Sequence, residues 1–148
     1  MEVSMHEAYA GDRSVTDVFE SLKAESSAAL VDVRTNAEWT FVGIPDLSAL
    51  SKEVMLAEWH GFPSNGPHEG FTMQLSDALK QKGLDQSAAI YFLCRSGVRS
   101  KAAAIAMTTL GYKNCYNVAE GFEGSHDAEG HRGSVSGWKA EGLPWSQG

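Results

Sequence analysis

The chain has 148 residues, of which 43% are hydrophobic and 21% charged, with a formal net charge of -7. That length is one domain's worth and buries a core without disulfides or metal, while the acidic balance disfavours non-specific binding to nucleic acid or anionic membranes, so any anion site has to be local. The two cysteines, Cys94 and Cys115, form no C-x-x-C pair; with no basic-then-apolar leader in "MEVSMHEAYAGDRS" and no run long enough to cross a bilayer, a reducing, cytoplasmic setting is expected.

In chain order, Ser14 followed by Asp17 is a capping signal, and Val15, Val18, Phe19 and Leu22 recur at helical spacing, which predicts a helix over Val15 to Ala24. "AALVDV", Ala28 to Val33, is short, apolar and β-branched, the pattern of a strand buried on both faces. The segment from Thr35 to Leu50 reads as turn-like, punctuated by Gly43 and Pro45, and "EVMLAEW" offers a strand around Val54 to Ala57. The loop "HGFPSNGPHEG" leads into a helix carrying Phe71, Leu75, Ala78 and Leu79, closed by Lys80, Lys82 and Gly83. "AAIYFL", Ala88 to Leu93, is the second uniformly apolar strand. The helix after it shows a stripe of Ala102, Ile105, Ala106, Thr109 and Leu110, ending at Gly111. "NCYNV" is the last strand, and the glycine-rich tail is expected to be anchored by Trp138 and Trp145. Strands alternating with helices predict a parallel sheet covered on both faces, with ligands beyond the carboxyl ends of the strands.

Cys94 stands at such an end, followed by Arg95, Ser96, Gly97, Val98, Arg99 and Ser100. If this segment curls before the helix, its backbone N–H groups converge on one point and make an anion site over the sulfur, with Gly97 allowing the backbone angles a tight loop needs. Those amides, with Arg95 and Arg99, would favour the nucleophilic thiolate near neutral pH without a separate base. Cys115, inside a strand, reads as a core thiol.

Three stretches, "CRSGVRS", "LVDVRTNAEW" and "NVAEGFEG…GWKAEGLPW", together resemble a single-domain rhodanese, a member of the sulfurtransferase family. The resemblance implies an α/β, rhodanese-like fold over residues 1–148 as one domain, with a central parallel sheet of about five strands and helices on both faces. It implies a ping-pong reaction in which Cys94 takes sulfane sulfur from thiosulfate or a persulfide donor, the loop Arg95 to Ser100 holds the persulfide, and cyanide or a thiol, a protein thiol included, removes it. No cofactor, metal, nucleic acid or membrane enters that scheme. A non-enzymatic sulfur carrier, sensor or partner-binding module stands as the alternative. Phosphatases of the same fold carry C-x5-R, whereas Cys94 to Arg99 is C-x4-R, a ring suited to one sulfur atom; a phosphatase or arsenate reductase therefore ranks last.

By the same resemblance Asp32, Arg34 and Glu38 belong to a supporting salt-bridge and turn network. Trp59 and Phe62, beside His60, fall in a loop that either walls the pocket or caps the core. The chain departs from the family's G-H-I-P-G-A pattern at Val42 to Leu47, and carries an excursion, Ser125 to Ser136, placed to reach over the pocket. His126, His131 and Arg132 in that excursion lack metal-ligand spacing and read as solvated.

Overall fold

The structure, a computed structural model, describes residues 8–59 and 70–147. The first helix, α1 (Val15–Ala24), forms as its cap requires, with the Ser14 side chain accepting from the Asp17 N–H. Strand β2 (Ala28–Asp32) follows and is buried along its whole length. Strand β5 (Ala89–Leu93) lies beside it in register, Ala28 opposite Ala89 and Asp32 opposite Leu93. The remaining partners complete a five-stranded parallel sheet of order β1-β6-β5-β2-β4, with β1 (Gly11–Arg13) and β4 (Met55–Leu56) at its edges and β6 (Asn114–Val118) beside β5.

Side chains alternate across this sheet and sort into two cores. Ala29, Val31, Ile90, Phe92, Cys94 and Cys115 face one side, where they meet Phe71, Leu75 and Leu79 of α3 (Phe71–Gln81) and Ala103, Ala104 and Met107 of α4 (Val98–Thr109). Leu30, Tyr91, Leu93 and Val118 face the other, where α1 and the buried pair Phe122 and Trp138 cover them. The helices thus lie on both faces of a sheet whose central strands are apolar throughout, the arrangement the uniform runs predict.

Three expectations need correction, and one strand went unannounced by its own pattern. The segment read as turn-like contains a helix, α2 (Asn36–Val42), held by a capping box in which Thr35 and Glu38 satisfy each other's backbone N–H groups. The buried face of α4 is Ser100, Ala103, Ala104 and Met107, not the stripe through Ala102 and Thr109; a run of alanines carries no phase, and the phase is set where Ser100 turns under the preceding loop. Strand β1 is three residues long, exposed at Asp12 and Arg13, and is defined by pairing with β6 rather than by its own pattern. Of the two tail anchors, Trp138 is fully buried with its indole N–H on the Pro144 carbonyl at 2.6 Å, but Trp145 is 41% exposed, lying edge-on to Phe122 and under the Lys139 ammonium.

The departure at Val42 to Leu47 becomes a two-stranded antiparallel pair, β3 (Ile44–Pro45) with β7 (Trp145–Ser146), which ties the tail to the turn after α2. No helix of the described residues is long and apolar enough to cross a membrane.

Candidate active site at Cys94

The strand β5 delivers Cys94 at the carboxyl edge of the sheet, and the strand's alternation turns its side chain toward the α3–α4 layer, where the residue is 1% exposed. The chain then folds back at Gly97, whose φ of +105° suits glycine, and a Cβ built there would stand 2.4 Å from the Ala119 carbonyl oxygen. This turn aims the Gly97 N–H at the sulfur, 3.1 Å away. The first turn of α4 brings up Ser100, whose Oγ lies 3.1 Å from the same sulfur. The positive end of α4 therefore faces Sγ.

The sequence leads one to expect a ring of amides from Arg95 to Arg99. Among the described residues the groups within hydrogen-bonding distance of the sulfur are one backbone N–H and one hydroxyl. The loop is shaped less by an anion than by its neighbour: the Cys94 carbonyl accepts from the Phe122 N–H, and the Arg95 carbonyl accepts from the N–H groups of Glu123 and Gly124. Gly121 makes that approach feasible, since a Cβ there would fall 2.4 Å from the Arg95 carbonyl oxygen. Arg95 and Val98 are exposed on the outer side of the loop, and Ser96 is half-buried.

Arg99 braces the loop. Its Nη1 and Nη2 donate to the two carboxylate oxygens of Glu38 at 2.7 and 3.0 Å, so that α2 is tied to the start of α4. Burial alone would push the Glu38 carboxyl up, but the hydrogen bond and charge of Arg99, with help from Thr35, hold it down at about 2. The Arg99 guanidinium is raised in turn, chiefly by its hydrogen bond to Glu38. Asp32 and Arg34 form a second, wholly buried pair, Nη2 to Oδ2 at 2.7 Å; Arg34 also donates to the Gly43 carbonyl at 2.7 Å and lies 4.2 Å over the Phe122 ring. These contacts put Asp32, Arg34 and Glu38 in the framework around the loop.

Trp59 packs edge-on against Phe71 at 4.9 Å and joins the core under α3. His60 and Phe62 lie outside the described residues. The excursion is drawn in on itself: the Asp127 carboxylate accepts the N–H groups of Glu129 and His131, Arg132 donates to the Gly124 carbonyl, and Ser125 and Ser136 close the neck.

Sequence reasoning missed Asn117. It is 4% exposed on β6, and its Oδ1 stands 2.6 Å from the Ser100 hydroxyl, behind the sulfur. The available signal was a polar residue facing a core in a strand between apolar neighbours. Cys115 is a core thiol as expected: its S–H faces the Tyr112 carbonyl at 3.6 Å, and burial pushes it up to about 11.

Residues 10–148 match the family model described as the STR4 middle domain. The chain belongs to the STR4 middle domain family. Among relatives of this STR4 middle domain, the uncharacterized protein RC0915 of Rickettsia conorii is 39% identical over 130 residues, covering 88% of this chain and 92% of that one. Rhodanese-like domain-containing protein 4, chloroplastic, of Arabidopsis thaliana is 26% identical over 91% of this chain, which matches 25% of the plant protein's length. The crystal structure of Rv0390 from M. tuberculosis is 46% identical, with a TM-score of 0.81 over 95% of this chain and 99% of that one. The polysulfide-sulfur transferase homodimer of Wolinella succinogenes shares the fold at 23% identity, with a TM-score of 0.61 over 97% of this chain and 85% of that one. The fold of this STR4 middle domain is therefore rhodanese-like.

Proposed function

We propose that the protein is a sulfurtransferase of the single-domain rhodanese kind, which carries sulfane sulfur as a persulfide on Cys94. The observation that carries this reading is the convergence of the Gly97 N–H and the Ser100 hydroxyl on Sγ at the N-terminus of α4. The thiolate attacks the outer sulfur of thiosulfate; the S–S bond of the donor breaks and sulfite leaves with its electron pair, so that Cys94 becomes a persulfide anion. A thiophilic acceptor such as cyanide then takes the outer sulfur, leaving as thiocyanate and returning the thiolate. A polysulfide or protein persulfide enters the same way, with a thiolate as leaving group, and the Wolinella enzyme's name is consistent with that donor class. The location proposed with this activity is the cytoplasm, although the plant relatives are chloroplastic by name.

The 1% exposure of Cys94 favours a second reading, a carrier or sensor that loads once and hands its sulfur on slowly, because a donor reaches the thiol only when the loop opens. An intact-mass spectrum after incubation with thiosulfate tests both. One added sulfur atom, removed by a reductant and absent from Cys94→Ser, is expected; no gain in the wild type overturns sulfur transfer altogether. Saturable thiocyanate release then marks the enzyme, and stoichiometric loading with negligible release marks the carrier.

A further inference from the structure

Behind the sulfur runs a line of hydrogen bonds that crosses from α4 to β6 and on to the edge strand. The Ser100 hydroxyl lies 3.1 Å from Cys94 Sγ and 2.6 Å from Asn117 Oδ1. Asn117 Nδ2 donates to Asp12 Oδ1 at 3.0 Å, and the Tyr9 hydroxyl donates to the same oxygen at 2.9 Å. A serine has one proton to give, and two acceptors face it here.

We propose that Asn117 sets how readily Cys94 becomes thiolate, by competing with the sulfur for the single Ser100 proton, and that Asp12 holds the Asn117 amide in the orientation that makes it a competitor. This inference deepens the sulfur-transfer reading and takes its purpose from it. A carboxylate only accepts, so the amide must turn its NH2 toward Asp12 and its oxygen toward Ser100. With Cys94 as a thiol, every group is satisfied: Ser100 donates to Asn117 and its lone pair accepts the S–H. With Cys94 as a thiolate, Ser100 must swing its proton onto the sulfur, and the Asn117 oxygen, on a residue 4% exposed, loses its donor. A buried acceptor left without a donor is costly, so Asn117 opposes ionisation while Ser100 assists it. The arrangement sets the Ser100 hydroxyl between two acceptors and gives it to the sulfur when charge arrives. Asn117 and Asp12 are positioning residues in this scheme; neither touches the sulfur.

The charged and titratable groups around the thiol come from several elements. Arg95 stands on its own loop and Arg99 in the first turn of α4, Glu38 on α2 pairs with Arg99, and Asp32 with Arg34 closes the end of β2. Asp12 and Tyr9 stand on the β1 side, with the Lys101 ammonium over the Tyr9 ring. None of these charges is removed when Asn117 or Ser100 is replaced, and only Asp12 loses a hydrogen bond, that from Asn117, so the Ser100→Ala background isolates the choice made by the hydroxyl.

The test is the pH dependence of Cys94 alkylation by iodoacetamide, followed by mass spectrometry of the Cys94 peptide, with profile positions rather than absolute rates compared. Asn117→Leu is expected to move the profile about one pH unit toward acid, roughly tenfold faster alkylation on the acid limb. Ser100→Ala should move it the other way, and Asn117→Leu added to Ser100→Ala should move it no further, since the effect runs through the hydroxyl. Should Asn117→Leu not fold, Asp12→Ala, at an exposed position, gives the same acid displacement by freeing the amide to turn; the part due to its lost charge survives in the Ser100→Ala background and the rest vanishes. A profile that stays in place or moves toward alkali in Asn117→Leu, or an acid displacement undiminished without the Ser100 hydroxyl, overturns the proposal. If the profiles move as expected but thiosulfate adds no sulfur, the sulfur-transfer reading fails and the competition for the proton stands.

Discussion

Cys94 and Cys115 lie on the same face of the same sheet, in the same core, and are buried almost equally at 1% and 0% exposure. They differ in what they face. Cys115 sits opposite Ile90 in the middle of the strand ladder, where its S–H faces the Tyr112 carbonyl and burial pushes the thiol up. Cys94 stands one residue past the end of β5 and meets an N–H, a hydroxyl and the start of a helix. Equal burial therefore leaves the two sulfurs in unlike surroundings, hydrogen-bond donors and a helix start around Cys94 and the interior of a strand ladder around Cys115.

The comparison breaks most directly at Gly97. Gly97→Ala forces a side chain into a left-handed turn and against the Ala119 carbonyl, so the N–H that faces the sulfur has to move. A loss of about 2–4 kcal/mol, a Tm lower by roughly 5–15 °C, and at least roughly tenfold slower sulfur loading are expected. Gly83→Ala is the matched control: φ is +75° but nothing lies within 4 Å, so only the turn strain of about 1 kcal/mol should appear in a denaturation curve and loading should not change.

A smaller effect is expected at Glu38. Glu38→Gln leaves Arg99 with a neutral partner, and loading kinetics should slow by roughly threefold to tenfold as the loop loosens. The same pair gives an acid signature. The folded carboxyl titrates at about 2, below its ordinary value, so its stabilising contribution is complete above the ordinary carboxylate range and is lost as pH falls toward 2. Wild type should therefore lose more stability than Glu38→Gln between about pH 5 and pH 2, measured by urea denaturation. Should the two curves run parallel, the brace does not act through charge.

The smallest change is on the other thiol. Cys115→Ala removes one sulfur from the core and should cost about 1 kcal/mol in denaturant while leaving sulfur loading at the wild-type level. A loading defect there would erase the distinction between the two cysteines.

Where the chain's own pattern is dense, the fold is legible. The capped helix α1 keeps the predicted limits Val15–Ala24, and the apolar runs that begin at Ala28 and Ala88 become the paired central strands. Elements defined by their neighbours escape such reading. Helix α2 has seven residues and buries none of them, so it offers no periodicity, although the Thr35–Glu38 box was written in plain view. Strand β1 exists because β6 gives it a ladder, and the alanines of α4 fit any phase. At the site, the cysteine loop and its arginines were visible in a row of seven letters. The partners behind them were not: Asn117 is 17 residues from Ser100 and Asp12 is 105 from Asn117, distances that only the parallel sheet closes.

The neck of the Ser125–Ser136 segment has a practical meaning. Its two ends meet where Gly124 and Gly137 pack backbone to backbone, and the Ser125 N–H rests on the Ser136 hydroxyl. Everything beyond that clasp hangs from a closed ring, so extra residues spliced at its tip would add only the slowly growing entropy of a longer loop, about 0.6 kcal/mol for each doubling. That makes its tip a natural splice point for a reporter peptide, beyond a fastening whose Gly124 side also holds the Arg95 carbonyl of the cysteine turn.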